Sequence, residues 1–134
     1  VLMMLKKESR GTDIIVKGQD KKRFWGAYKT IRPDIVLEKG EQTYIIDTKW
    51  KRPTNKQPSV EDLRQMYAYA RFWDTDKVML LYPGEPIDSK FISYRNQDID
   101  QREHQCKVAF VSVLDGENRL ERDIGANVLD FMLP

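Results

Sequence analysis

Short apolar runs, separated by turn residues, divide this chain into segments that predict several strands. The run at residues 77–84 is almost continuously apolar and stops at Pro-Gly, which is the pattern of a strand covered on both faces in a parallel or mixed sheet. The other runs have the length and composition of ordinary strands. They lie at residues 12–18, 35–38, 43–50, 90–94 and 107–113.

A different periodicity predicts a helix over residues 60–73. Ser59 can cap its first turn, and Asp62 stands at the third helical position, close to the pattern of a capping box. The apolar residues then recur at helical spacing. They are Val60, Leu63, Met66, Tyr67, Ala70 and Trp73. A strand, helix, strand unit follows, with helical segments at residues 1–9 and 126–133, so the fold class is mixed α/β.

Length and composition are those of a single globular domain. The chain has 134 residues, of which 33% are charged and 40% hydrophobic, and it contains no internal repeat or linker. We therefore expect one domain over residues 1–134. The chain opens without an initiator Met or a helix cap, so we interpret it as a fragment of a longer protein. No apolar run is long enough to cross a bilayer, which predicts a cytoplasmic protein without membrane contact.

The single cysteine and the single histidine exclude several kinds of chemistry. Cys106 cannot form an internal disulfide or a thiolate cluster for zinc, and we expect it to be a small buried apolar residue. A Ser-His-Asp triad would have His104 as its only base, and we do not expect one.

Charge is distributed unevenly along the chain. Residues 1–56 carry a balance of +7, whereas residues 57–134 carry −5. Two basic stretches, at residues 17–32 and 49–56, also contain aromatic residues. This combination suits phosphate attraction with contacts to bases, although an ordinary solvated surface would show the same charges.

The strands at residues 35–38 and 43–50 bring acidic side chains together. Asp47 and Lys49 point to the same face of the second strand, because side chains alternate. A loop at residues 39–42 sets Asp34 opposite Asp47, and a two-residue loop at 39–40 sets it opposite Ile45 on the same face. Either register brings the two carboxylates together.

Adjacent carboxylates repel each other unless a cation lies between them. Oxygen ligands of this kind suit Mg²⁺, which would take Asp34, Asp47 and the backbone carbonyl of Thr48, with water and a phosphate. Lys49 would stabilise charge on that phosphate. The alternative is a surface ion pair between Asp47 and Lys49. The apolar "YII" before Asp47, and Pro33 before Asp34, favour the metal site.

These residues resemble a known motif. Pro33-Asp34 with Asp47-Thr48-Lys49 resembles the PD-(D/E)XK nucleases, and Gln65 with Tyr69 resembles the Gln-x-x-x-Tyr element of their RecB-like branch. The resemblance implies the restriction-endonuclease-like fold, a mixed sheet flanked by helices. It also implies that Asp34 and Asp47 bind the metal, that Lys49 is the catalytic lysine, and that Gln65 and Tyr69 shape the site.

The ordered set of motifs over residues 31–84 is most similar to the McrC family, the nuclease subunit of 5-methylcytosine restriction systems. That resemblance implies a Mg²⁺-dependent DNA endonuclease that works with a McrB-like AAA+ GTPase. Many relatives add a glutamate from the first core helix, and Glu8 is the candidate here. Two alternatives stay open: a nuclease of this fold from repair or recombination, or a catalytically inert DNA-binding or docking module.

Overall fold

The computed structural model describes residues 1–51, 53–87, 89–95, 103–112 and 124–133. Within them the helices are α1 (Leu2–Glu8), α2 (Val60–Phe72) and α3 (Ile124–Met132), and a short 3-10 turn covers Thr54–Lys56. The strands are β1 (Ile14–Gly18), β2 (Lys22–Trp25), β3 (Lys29–Ile31), β4 (Ile35–Lys39), β5 (Gln42–Thr48), β6 (Lys77–Pro83), β7 (Phe91–Ser93) and β8 (Gln105–Val111). Val113, the predicted end of the last strand, lies outside the described residues.

The main sheet is mixed, with the strand order β1-β4-β5-β6-β8-β7. Its centre is parallel, because β5 pairs with β6 and β6 pairs with β8 in the same direction. The flanking pairs are antiparallel. The prediction for the apolar run at residues 77–84 is confirmed, because Val78–Tyr82 are buried in the middle of this sheet.

Two layers of core cover the two faces of the sheet. Tyr44 and Ile46 of β5 pack on the face that α1 and α3 cover, whereas Ile45 packs on the face that α2 covers. The alternation that the sequence predicts for this strand is therefore confirmed. A mixed sheet with helices on both faces is the predicted fold class.

The hairpin of β4 and β5 has the register that sets Asp34 opposite Asp47. Glu38 pairs with Thr43, and the pairing continues to Lys39 with Gln42. The turn is therefore made by residues 40–41, and the predicted two-residue loop at 39–40 is wrong. Gly40 has φ +60°, a left-handed conformation that glycine adopts without strain, so the tight turn forms one residue later than expected.

Helix α2 begins as predicted. Asp62 donates its backbone N–H to the Ser59 hydroxyl at 3.0 Å, which satisfies one of the free donors of the first turn. The helix ends at Phe72, one residue before the predicted end, and buries Met66, Tyr69 and Ala70 against the sheet.

Strands β2 and β3 form a separate two-stranded sheet. The sequence did not predict it, because the stretch lacks a regular alternation of apolar residues. Within the described residues, no helix is long and apolar enough to cross a membrane.

Candidate active site

The two aspartates lie side by side at one end of the β4–β5 hairpin. The backbone N–H of Asp34 donates to Oδ1 of Asp47 at 3.1 Å. Oδ2 of Asp34 in turn accepts the backbone N–H of Thr48 at 2.9 Å and its hydroxyl at 2.8 Å. The register of the hairpin and these reciprocal bonds hold the carboxylates next to each other.

Lys49 follows directly after β5 and extends the pairing with β6, because its N–H donates to the carbonyl of Leu81 at 2.8 Å. Its Nζ lies 2.9 Å from Oδ2 of Asp47 and donates to Oε1 of Gln65 at 2.8 Å. Asp47 is only 4% exposed, so this ion pair is largely shielded from water. The sheet thus fixes the backbone of Lys49, and α2 helps to fix its ammonium.

Helix α2 completes a chain of hydrogen bonds around the aspartates. Nε2 of Gln65 donates to the Tyr69 hydroxyl at 3.0 Å, and that hydroxyl donates to the carbonyl of Arg32 at 3.1 Å. Arg32 precedes Asp34 by two residues, so the chain connects Lys49 with the segment that carries Asp34. The five predicted catalytic residues are therefore brought together. Their catalytic and metal-binding roles stay predictions.

Two further residues belong to this network, and sequence reasoning missed them. Oδ1 of Asp62 lies 3.6 Å from Nζ of Lys49. The hydroxyl of Tyr82 donates to Oδ2 of Asp62 at 3.0 Å. The sequence predicts Asp62 as a helix-cap residue that lies next to Gln65 and Tyr69 on one side of the helix, without a role in the site. That shared side is the signal that could have indicated its contact with Lys49.

The network carries more negative than positive charge. Burial, followed by the repulsion of Asp34, raises the pKa of Asp47 even though Lys49 opposes the shift. Burial lowers the pKa of Lys49, but the bond and attraction to Asp47, with Asp62 and Asp34, outweigh it and leave that pKa raised. Lys49 neutralises one of those three carboxylate charges, so the cluster keeps an excess of negative charge.

Phenolic hydroxyls at the site remain protonated near neutral pH. Burial, together with the charges of Asp47 and Asp34, raises the pKa of Tyr69 to about 12. Burial and the bond to Asp62 also raise the pKa of Tyr82. Both groups therefore act as hydrogen-bond donors that hold the network in place.

The donor set fits a hard divalent cation. Mg²⁺ prefers oxygen ligands and is usually bound by one or two carboxylates together with water and phosphate. In the part of the chain that the structure describes, no three His, Cys, Asp or Glu side chains are close enough to hold an ion. The protein would therefore supply Asp34, Asp47 and the carbonyl of Thr48. The carbonyl remains a predicted ligand, since the bonds described for Thr48 involve its N–H and hydroxyl.

The remaining sequence candidates lie elsewhere. Glu8 is exposed at the last turn of α1, about 10 Å along that helix from its first residue. The first residues of the helix are the ones near the site, because Val1 and Met4 line a small cavity together with Lys49. Glu8 is therefore not brought to the carboxylates.

The histidine and the cysteine are buried in the core. Nδ1 of His104 lies 2.7 Å from the carbonyl of Thr75, and its ring packs 5.7 Å from that of Tyr67. Cys106 is buried, as predicted, and burial raises the pKa of its thiol to about 11. These interactions give both residues a structural role.

An open cleft of about 770 Å³ adjoins the cluster. Thr48, Lys49, Asp62 and Tyr82 contribute to its wall, and the exposed Trp50 stands at its edge. A cleft of this size can hold a segment of a ligand next to the ammonium of Lys49.

The fold and the site define the chain as a restriction-endonuclease-like α/β domain. The family model of the McrBC 5-methylcytosine restriction system component matches residues 1–83, and the chain belongs to that family. The sequence-based assignment to the McrC family is thereby confirmed.

A solved structure has the same fold. It is a complex of Thermococcus gammatolerans McrB AAA+ hexamers with bound McrC, from a tetradecameric assembly. The TM-score is 0.64 and the sequence identity 14%, and the match covers 95% of this chain but 30% of the matched chain. The present chain therefore spans less than a third of the length of that protein. None of the curated proteins matches the sequence.

Proposed function

We propose that this protein is a Mg²⁺-dependent DNA endonuclease, the nuclease component of a modification-dependent restriction system. The observation that carries the proposal is the cluster of Asp34, Asp47 and Lys49 beside an open cleft. The cluster lies in a chain that belongs to a family of restriction system components. It has the parts that phosphodiester hydrolysis requires: carboxylates for a metal, and a cation for the phosphate.

Asp34 and Asp47 are the proposed ligands of the metal, with the carbonyl of Thr48. The crowding of negative charge supports this assignment, because burial and Asp34 already raise the pKa of Asp47. When bound, Mg²⁺ supplies positive charge to the phosphate and lowers the pKa of water. Because the fold holds the two carboxylates together in spite of their repulsion, the proposed ligands are in position before a metal binds.

Lys49 acts on the phosphate and on the attacking water. Its ammonium donates hydrogen bonds and offsets the negative charge that develops as the water oxygen bonds to phosphorus and the bond to the leaving sugar oxygen breaks. Gln65 and Tyr69 are positioning residues. They connect the ammonium to the backbone of Arg32 and restrict its motion.

The proposed partner is a McrB-like AAA+ GTPase. Membership of the McrBC component family supports this partner. In the solved complex of similar fold, McrB hexamers have McrC bound. We propose that the motor brings DNA to the nuclease, so cutting requires both proteins and GTP.

A plasmid-cutting assay tests the nuclease. The protein is incubated with its GTPase partner, GTP, Mg²⁺ and methylated plasmid. Asp47→Asn should abolish cutting, and Lys49→Met should lower its rate by about 10²–10³-fold. Glu41→Gln, in the turn at the far end of the same two strands, is the matched control and should cut normally. Cutting by Asp47→Asn at the wild-type rate would rule out the proposed site.

The two alternatives predict different outcomes. An inert DNA-binding module would bind DNA equally well after both aspartates were replaced, and it would take up no Mg²⁺. A repair or recombination nuclease would cut with Mg²⁺ but would not respond to the GTPase or to methylation. Family membership favours the restriction system over both.

A further inference from the structure

The segment formed by residues 21–32, here called the basic hairpin, is an exposed surface that meets the network of the candidate site only at its last residue, through the carbonyl of Arg32. It contains β2, β3 and the turn between them, with five Lys or Arg and no Asp or Glu. Trp25 is 74% exposed and Tyr28 is 93% exposed. Large aromatic side chains that remain in water on a strongly charged surface indicate a binding site.

One side of the basic hairpin is attached to the end of α2. Lys22 donates to the carbonyl of Phe72 at 2.9 Å, and its ammonium lies 4.9 Å from the centre of the Trp73 ring. Phe24 packs on Phe72 with ring centres 5.2 Å apart, and Asp20 accepts the indole N–H of Trp73 at 3.0 Å. These contacts fix the hairpin against the helix that carries Gln65 and Tyr69.

The other side of the hairpin is free to bind. Arg23, Trp25, Tyr28 and Lys29 are exposed, and among the described residues their side chains form no hydrogen bond or ion pair, although the backbone of the two strands is paired. The strand pairing is irregular between Arg23 and Trp25, which is a β-bulge. Bulges reorient side chains and often occur next to functional sites.

The hairpin is close to the carboxylates along the chain. Asp34 follows Lys29 by five positions, and a fully extended chain of that length spans at most about 17 Å. This distance corresponds to about five base-pair steps of a DNA duplex. The bond from Tyr69 to the carbonyl of Arg32 also fixes the segment that joins the two sites.

We propose that the basic hairpin holds the DNA duplex on one side of the phosphodiester that is cut. Arg23 and Lys29 contact phosphates, while Trp25 and Tyr28 pack against sugars or bases. The choice of duplex DNA rests on the proposed function. Charge complementarity supports this choice, because the free side of the hairpin presents Arg23 and Lys29 beside the exposed rings of Trp25 and Tyr28, the composition of a sequence-independent nucleic-acid surface.

Binding of a fluorescent duplex, followed by anisotropy with Ca²⁺ in place of Mg²⁺, tests the proposal without cutting. Trp25→Ala and Tyr28→Ala should each weaken binding by about 5-fold, because each loses about 1 kcal/mol of aromatic packing against the duplex. The double variant Arg23→Gln/Lys29→Gln should lower the slope of log K against log salt by about 2, since two phosphate contacts are lost.

Matched controls separate this effect from a general loss of charge or apolar surface. Met3→Ala removes an exposed apolar side chain of α1, and Lys7→Gln/Lys39→Gln removes two exposed charges. Both should bind DNA like wild type. Circular dichroism and a thermal melt of each variant verify folding, and only variants with wild-type melts enter the comparison.

The remaining outcomes test the hairpin proposal separately from the proposed nuclease activity. Wild-type affinity and salt slope in the hairpin variants would overturn the hairpin proposal, whereas loss of cutting in Asp47→Asn alone would still support the nuclease. Loss of GTPase binding with unchanged DNA binding would identify the hairpin as a protein-docking surface and also overturn it. Loss of DNA binding in the hairpin variants, with Asp47→Asn binding normally, supports the proposal even if no cutting is seen.

Discussion

Replacement of Asp47 by Asn should change the stability of the metal-free protein and its stabilisation by Mg²⁺ to different extents. In the metal-free protein, burial and the neighbouring Asp34 raise the pKa of Asp47. A raised pKa means that the ionised carboxylate opposes folding at neutral pH, and that this cost appears as the pH rises through the range where Asp47 ionises. Asn is neutral and keeps an oxygen for the N–H of Asp34. Asn also loses the ion pair with Lys49, whose ammonium keeps its contacts with Gln65 and Asp62. These effects oppose each other, so the metal-free variant should melt close to the wild-type temperature.

Added Mg²⁺ should raise the melting temperature of wild type more than that of Asp47→Asn. For a dissociation constant of about 1 mM, about 10 mM Mg²⁺ stabilises the wild-type fold by about 1.4 kcal/mol. For a chain of 134 residues this corresponds to a rise of about 4–7 °C in the melting temperature. Asp47→Asn lacks one carboxylate ligand and should show less than a third of that rise.

Thermal melts by circular dichroism, from zero to about 10 mM Mg²⁺ at constant ionic strength, provide the measurement; that range spans the dissociation constant used above. Glu41→Gln is the control for the loss of one negative charge. An equal Mg²⁺-dependent rise in wild type and Asp47→Asn would refute the reasoning. A metal-free variant that melts far below wild type would contradict the expected balance of these electrostatic effects.

Three further predictions concern the network around Lys49. Tyr69→Phe should lower the free energy of unfolding by about 1–2 kcal/mol in urea melts, because the carbonyl of Arg32 loses its donor and Gln65 loses its acceptor; an unchanged midpoint would contradict it. The raised pKa of Tyr69, about 12, means that its stabilising contribution is complete below about pH 10 and is lost as the pH rises to about 12, so alkaline melts of wild type should show a loss that Tyr69→Phe lacks. Asp62→Asn should change the free energy of unfolding by at most about 1 kcal/mol, yet it should slow cutting. Because Asp62 raises the pKa of Lys49, the variant should also move the alkaline limb of the pH–rate profile to lower pH. An unmoved limb would contradict this prediction.

The local structure of the site was predictable because it depends on short-range rules. Alternation along β5 set Asp47 and Lys49 on the face of Ile45, and a tight turn restricted Asp34 to positions near Asp47. Ser59 predicted where α2 begins. The spacing of four residues predicted that Gln65 and Tyr69 lie on the same side of that helix. These features depend on neighbours within a few residues, or on a hairpin whose ends are close in the chain.

The basic hairpin and the role of Asp62 were not predictable in this way. The pattern of β2 and β3 has no apolar alternation, since the hairpin is attached through Lys22 and Phe24 to a helix about 50 residues later. Asp62 gave a clear helix-cap signal, which concealed its second contact with Lys49. Both features depend on contacts between distant segments.

The sequence by itself determined the strands and helices other than β2 and β3, the alternation of faces along β5, and that two carboxylates and a lysine converge. The tertiary structure alone decided that Asp47 is buried, that α2 holds the Lys49 ammonium, and that a charged hairpin packs on the end of α2. The physical reason is that local backbone preferences act over a few residues. Burial and charge interactions arise only when packing removes water and brings distant segments into contact.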